Sequence, residues 1–134
     1  MRLIRYSFIV LLCIISFHGK GQCKAEPISS VEILPVFLNG TQDEMKFSRD
    51  SILPIISTHQ FDNTFDLPTR LRCTLIIDEN GKVCSAKVIS PVPDELIKKI
   101  EACLLRMKGW KAAMKNNQPV CTERAWIISC IKWN

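Results

Sequence analysis

Residues 70–83, RLRCTLIIDENGKV, place an alternating apolar and polar run directly before a turn. The apolar members of the run are Leu71, Cys73, Leu75 and Ile77. A period of two is typical of a strand that is buried on one face only. Asn80 and Gly81 suit the positive φ angles of a tight turn, so residues 83–90 are predicted to return as the second strand of a β-hairpin.

A helix and a third strand are predicted after the hairpin. Asp94 is predicted to cap a helix that begins at Glu95 and ends before Gly109. The apolar face of this helix comprises Leu96, Ile100, Cys103 and Met107. β-Branched and aromatic side chains from residue 120 to residue 133 predict a long closing strand. The predicted fold class is α+β, with helices packed on one face of a three-stranded antiparallel sheet and a strand-strand-helix-strand core.

An N-terminal helical segment is predicted to precede this core. Residues 23–35 mix proline, serine and apolar side chains and predict an extended lead-in. Apolar positions between Asp43 and Ser57 predict a helix that is interrupted near Ser48. Residues 60–68 are polar and aromatic, and they predict a loop before the sheet.

The first residues have the composition of a secretory signal peptide. Arg2 and Arg5 precede an apolar run of 12 residues, Tyr6 to Phe17, whereas a membrane-spanning helix needs roughly 20. Cleavage is predicted before Gln22. The predicted division is a signal peptide (1–21), an extended and helical lead-in (22–68) and a sheet domain (69–134). Two alternatives remain open, a leader retained as a membrane anchor and a lipoprotein modified at Cys23.

Removal of the leader changes the charge of the chain. The full sequence has a formal charge of +5, and loss of Arg2, Arg5 and Lys20 leaves 15 basic and 13 acidic side chains, a charge of +2. The basic character thus belongs partly to the leader, and no nucleic-acid partner is predicted. The predicted location is the periplasm or the cell envelope.

Six cysteines remain after the leader, and all are disulfide candidates: Cys23, Cys73, Cys84, Cys103, Cys121 and Cys130. An even count in an exported chain allows three bridges in 15 connectivities, which the sequence alone does not distinguish. Buried thiols that act as small apolar side chains are the alternative. At least one bridge is predicted. No pair has C-x-x-C spacing, so neither a zinc site nor a redox motif is predicted.

Catalytic chemistry is not predicted. His59 is the only histidine after the leader, and no nucleophile stands beside it in a recognisable motif. Asp62 and Asp66 could pair as carboxylates, but they are interpreted as solvated turn residues. The sequence therefore predicts no catalytic residue, no metal ligand and no cofactor.

Residues 74–133 resemble the C-terminal domain of TonB-type energy transducers. The matching features are the hairpin at residues 75–83, the helix with Leu96, Ile100 and Leu104, the blocks Trp110-Lys111-Ala112-Ala113 and Asn117-Gln118-Pro119-Val120, and the apolar final strand. The segment Pro35-Val36-Phe37-Leu38-Asn39-Gly40 extends the resemblance to about residue 35. It implies a three-stranded sheet with helices on one face. It also implies a protein-binding function, in which a receptor segment is gripped by strand addition.

The chain also departs from that family. A transducer has a retained anchor and a long periplasmic span, and neither is predicted here. Leu67-Pro68-Thr69 stands where a glycine is usual, and Ala112 stands where proline is common. A stand-alone, exported domain is therefore predicted.

The edge of the closing strand, residues 122–133, is the predicted partner-binding surface. Its candidate residues are Trp126, Ile128, Cys130, Lys132 and Trp133. Trp126 and Trp133 are predicted to lie on opposite faces because an odd number of positions separates them. The expected partner is a protein, such as an outer-membrane receptor or another envelope protein. The alternatives are a disulfide-stapled structural component, a homodimer formed through the same edge, and an anchored transducer of outer-membrane transport.

Overall fold

An extended segment and three short helical pieces begin the part of the chain that the computed structural model describes, residues 23–59 and 67–130. Strand β1 is Val36–Phe37, α1 is Thr41–Phe47, a π-helical turn is Ser48–Ile52, and α2 is Leu53–Thr58. The predicted interruption near Ser48 is thus a change of helical pitch. Because the chain stays helical through the π turn, α2 begins without a side-chain cap, and Pro54 lies in its first turn.

The remaining elements form the sheet and its covering helix. Strand β2 is Arg70–Ile77, β3 is Val83–Val88, and α3 is Asp94–Leu105. Four strands follow: β4 (Trp110–Lys111), β5 (Ala113–Lys115), β6 (Gln118–Val120) and β7 (Thr122–Ser129). The main sheet has the order β3-β2-β7 and is antiparallel throughout. The predicted α+β fold with a strand-strand-helix-strand core is confirmed.

The alternating pattern of β2 determines which face of the sheet is buried. Its core-facing side chains, Leu71, Cys73, Leu75 and Ile77, are all at most 2% exposed. Across the sheet, Leu71 lies opposite Ile128 of β7 and Cys73 lies opposite Val88 of β3. The helices cover this face, and Leu96, Ile100 and Leu104 of α3 belong to the same apolar cluster. Ile52 and Ile56 extend the cluster to the N-terminal helical segment, so the lead-in and the sheet share one core.

The hairpin turn between β2 and β3 depends on Asp78 and Gly81. One carboxylate oxygen of Asp78 accepts hydrogen bonds from the backbone N–H groups of Asn80 and Lys82, each at 2.9 Å. Gly81 adopts a φ of +76°, and a Cβ atom there would collide with the backbone carbonyl oxygen of Trp110. The turn is therefore held by local hydrogen bonds and by close packing against the chain entering β4.

Some boundaries differ from the predictions, since β3 ends at Val88 rather than at residue 90 and α3 ends at Leu105 rather than just before Gly109. Pro93, not Asp94, is the N-cap of α3, and no side chain caps that helix, so Asp94 lies within its first turn. Asn116 and Asn117 have positive φ angles and join β5 to β6 as a hairpin. The closing strand consequently starts at Thr122, after a break at Cys121.

Residues 23–35 form a strap that is tied to the rest of the fold at several points. Cys23 is joined to Cys84 of β3 by a disulfide bond. Ile28 donates a backbone hydrogen bond to the carbonyl of Cys121, at 2.9 Å. Ile33 forms an isolated antiparallel bridge with Met114. Within residues 23–59 and 67–130, no helix is long and apolar enough to span a membrane.

Candidate functional site: the outer edge of the closing strand

Strand β7 pairs with β2 along one side, and its other side forms an edge of the main sheet. The N–H of Cys130 donates to the carbonyl of Thr69 at 2.8 Å, so these two residues form a hydrogen-bonded pair. Hydrogen-bonded pairs alternate along an antiparallel ladder, which aims every second residue of β7 at β2. The intervening residues direct their N–H and C=O groups outward. They are Glu123, Ala125, Ile127 and Ser129.

These four outward-facing residues have exposed side chains on the face of the sheet that the helices do not cover. Ile127 is 53% exposed and is one of the most exposed large apolar residues among those described. Among the described residues, none pairs with the outer side of β7 as a strand. The edge therefore presents a row of backbone donors and acceptors beside an apolar side chain.

The structure describes three of the five predicted partner-binding residues, Trp126, Ile128 and Cys130. Trp126 is 5% exposed and Ile128 is fully buried, so their side chains belong to the core and leave only the strand itself for a partner. Cys130 is half-buried, and its N–H is bonded to Thr69. Lys132 and Trp133 lie outside the described residues, so the predicted opposite placement of Trp126 and Trp133 stays a prediction.

The opposite edge of the sheet, formed by β3, is partly covered by a side chain. The N–H of Ile89 donates to the carbonyl of Arg72, which directs the neighbouring N–H of Val88 away from β2. That outward N–H donates to a carboxylate oxygen of Glu101 on α3, at 3.0 Å. The two edges therefore differ, because α3 satisfies part of the β3 edge and leaves β7 untouched.

The strap fixes where the open part of β7 begins. Ile28 donates its N–H to the carbonyl of Cys121, and its own carbonyl accepts the hydroxyl hydrogen of Thr122, at 3.0 Å. The strap thus occupies the end of the strand before Glu123. A partner strand would find outward groups from Glu123 onward.

A cleft of about 420 Å³ lies beside the first open residues of β7. It is lined by residues 34–36 of the strap, by Gly40, Thr41 and Glu44 at the start of α1, and by residues 123–125. Arg124 spans it, since its guanidinium contacts a carboxylate oxygen of Glu44 at 2.7 Å and donates to the carbonyl of Pro35 at 2.8 Å. The cleft could receive a side chain from a strand bound at the edge.

Arg124 is held in place by aromatic rings as well as by the ion pair. Its guanidinium lies 5.1 Å from the centre of the Trp110 ring, a cation–π distance. Trp110 packs against Phe37 and Trp126, with ring centres 5.3 Å and 6.5 Å away. Glu44 is only 6% exposed, so this pair anchors the N-terminal helical segment to β7.

Sequence reasoning did not identify the Glu44–Arg124 pair. The available signal was the position of Arg124 in the strand. It lies two residues before Trp126 and four before Ile128, so its side chain is on the same face of β7 as theirs. A cation at a core-facing position requires a buried partner. The sequence offers many acids as that partner, and only the folded chain identifies Glu44.

The six cysteine candidates separate into one bridge and four thiols. Cys23 and Cys84 form the disulfide, which confirms the prediction of at least one bridge. The thiols are Cys73, Cys103, Cys121 and Cys130. Cys130 lies opposite Thr69, four residues along β2 from Cys73, so the backbones of these two cysteines are too far apart for a bridge.

The four thiols are poor nucleophiles. Burial, with smaller contributions from the charges of Glu101 and Cys130, raises the pKa of Cys73 to about 12. Burial is also the main reason why the pKa values of Cys103, Cys121 and Cys130 are raised. A protonated thiol neither attacks a substrate nor binds a metal readily, so these residues fit a role as small apolar side chains.

Of the remaining candidate groups, His59 lies among the described residues. His59 is the C-cap of α2, and its N–H donates to the carbonyl of Ile56. Asp62 and Asp66 lie outside the described residues. Within residues 23–59 and 67–130, no group of three or more histidine, cysteine or acidic side chains is arranged to hold a metal ion.

Comparisons of the chain with protein-family models, with curated proteins and with solved structures each find no match.

Proposed function

We propose that this chain is a non-catalytic protein-binding module of the cell envelope that captures an extended segment of a partner by strand addition to β7. The proposal agrees with the resemblance to the C-terminal domain of TonB-type transducers. In strand addition, main-chain hydrogen bonds supply affinity and the flanking side chains supply specificity. The expected partner is therefore a protein with an accessible extended segment, such as an envelope receptor.

One observation supports the proposal above all others, namely the outward backbone groups of Glu123, Ala125, Ile127 and Ser129. Exposed edges invite pairing, and proteins commonly protect them with lysine, proline or a covering element. At the β3 edge Glu101 provides such cover, whereas residues 123–129 receive no equivalent among the described residues. An edge left open beside a cleft is suited to binding.

The proposed location is the periplasm or another part of the envelope. The Cys23–Cys84 disulfide is compatible with an oxidising, exported compartment. An apolar leader at residues 6–17 agrees with export. Both features support a partner that is met outside the cytoplasm.

The decisive substitution is Ile127→Pro. Proline at residue 127 removes an outward N–H and no hydrogen bond to β2, and edge strands tolerate proline at such positions. Ile127→Ala is the matched control, because it shortens the same side chain and keeps the N–H. Proline at Ile128 would be uninformative, since that N–H faces β2 and the side chain is fully buried.

The probe is a peptide selected from a displayed random library against the purified, oxidised protein. Ile127→Pro should weaken its binding at least tenfold in calorimetry, while Ile127→Ala changes it less than threefold. Circular dichroism and urea unfolding establish that both variants fold. Equal binding of the peptide by folded Ile127→Pro would refute strand addition at β7.

Sedimentation equilibrium separates this function from a homodimer. If two copies pair through β7, the wild-type protein sediments as a dimer and Ile127→Pro as a monomer, and a selected peptide competes with dimerisation. A monomeric wild type that binds the peptide supports capture of a foreign strand.

A further inference from the structure

The face of the sheet that points away from the helices has an ordered arrangement of cations and isoleucines. Strand register places Lys87, Thr74 and Ala125 in one row across β3, β2 and β7. The next row is Ile89, Arg72 and Ile127, since Ile89 donates its N–H to Arg72. The row after that contains Arg70 and Ser129. We refer to these three rows as the open face.

The charge of the open face has one sign. Arg70, Arg72 and Lys87 are all exposed, and these three rows contain no acid, whereas the next row of the same face places Glu123 opposite Ile76. The ion pairs formed between described residues join Arg49 to Asp50 and Arg124 to Glu44, so none of them neutralises the open face. Three cations within neighbouring rows create a local positive potential, although the chain without its leader has a formal charge of only +2.

Two isoleucines flank the central cation. Ile89 is 56% exposed and Ile127 is 53% exposed. They lie on the two strands that border β2, so roughly 10 Å separates them, with Arg72 between. Covering these two side chains with a second surface would remove their apolar area from water.

We propose that the open face binds an anionic lipid surface. Cations that attract lipid headgroups, together with apolar side chains that enter the boundary beneath them, are the features of interfacial membrane proteins. The face has no aromatic side chain on which nucleic-acid bases could stack, and no aromatic anchor or pocket of the kind that dominates protein interfaces. The β7 edge borders this face, so a docked protein could still offer it to a partner strand.

The test uses the protein as purified from its native envelope and large unilamellar vesicles of two compositions. One contains phosphatidylcholine with about a third phosphatidylglycerol, and the other contains phosphatidylcholine alone. Co-sedimentation should give clear binding to the anionic vesicles at low salt and little binding to the neutral ones. Raising the ionic strength should weaken the binding, because surface charges are screened.

A triple variant removes the three cations: Arg70→Gln, Arg72→Gln and Lys87→Gln. Each cation near an anionic surface is worth about fivefold in partitioning, so the variant should lose at least 20-fold. The matched control is Lys98→Gln, Lys99→Gln and Lys108→Gln, which removes the same charge from exposed positions on and beside α3. This control should change binding less than threefold.

The apolar contribution is tested separately with Ile89→Ser, which leaves β7 unaltered. It should weaken vesicle binding several-fold, while Ile33→Ser, at a comparably exposed position of 58%, should not. The proposal is overturned if the two triple variants lose affinity equally, since binding would then follow net charge. It is also overturned if folded variants of the open face bind as the wild type does, as they would if a retained leader held the vesicles.

Discussion

Removal of the Cys23–Cys84 disulfide should lower the stability of the whole fold. The bond joins residues 61 positions apart, which corresponds to about 4 kcal/mol of loop-closure entropy removed from the unfolded chain. Cys23→Ala is the preferred variant, because Cys23 is half-buried whereas Cys84 is 3% exposed and its truncation would add a cavity. A loss of this size should lower the melting temperature by roughly 15 °C.

Urea unfolding followed by the fluorescence of the buried Trp110 and Trp126 provides the measurement. Reductant should destabilise the wild type by about the same amount as Cys23→Ala and should leave that variant unchanged. Cys130→Ala is the control for loss of a thiol without loss of a bridge. A difference below about 1 kcal/mol between the wild type and Cys23→Ala would refute this reasoning, because the strap would then be uncoupled from the fold.

Three further substitutions should change the stability of the fold, each for a local physical reason. Arg124→Met leaves Glu44 buried without its partner and should lower the free energy of unfolding by about 2 to 3 kcal/mol, a figure that already allows for the partial exposure of Arg124. Adding Glu44→Leu should recover part of this loss. Additive effects of the two substitutions in urea unfolding would contradict the pairing. Gly81→Ala should cost about 2 to 3 kcal/mol in the same assay, because φ is +76° and the new Cβ meets the carbonyl of Trp110; an unchanged midpoint would count against that contact. The pKa of Cys73 is raised to about 12, so its thiol keeps its proton in the folded state after the unfolded chain has lost it. The contribution of Cys73 to the free energy of unfolding should therefore be fully present below about pH 9 and fall by about 1.4 kcal/mol per pH unit above it. Cys73→Ala should lack this part of the pH dependence.

Much of the fold follows from local patterns. The alternation along residues 71–77 places four apolar side chains on one face of a strand, and the apolar stripe of residues 96–107 identifies the helix that covers them. Both were predictable because side-chain periodicity is a property of the chain itself. The cap of α3 and the start of β7 were predicted less well, since several residues could serve as cap or turn and packing selects among them.

The candidate site was predictable only in part. The sequence predicts the closing strand as the binding element. Trp126 and Ile128 are buried, however, so the outward backbone groups of residues 123–129 are available to a partner and these two side chains are not. Which residues face outward depends on strand register, and the hydrogen bond from Cys130 to Thr69 establishes it. Sequence patterns contain no such information about the partner of a strand.

The amino-acid sequence by itself determined the α+β class, the order of the core elements and the set of cysteines available for bridging. Those properties depend on periodicity and composition, which are local. Only the tertiary structure selected the Cys23–Cys84 pair from the six cysteines, paired Glu44 with Arg124, and left the outer side of β7 without a strand among the described residues. Each of these results depends on which distant segments meet when the apolar face of the sheet is buried, and that is settled by packing of the whole chain.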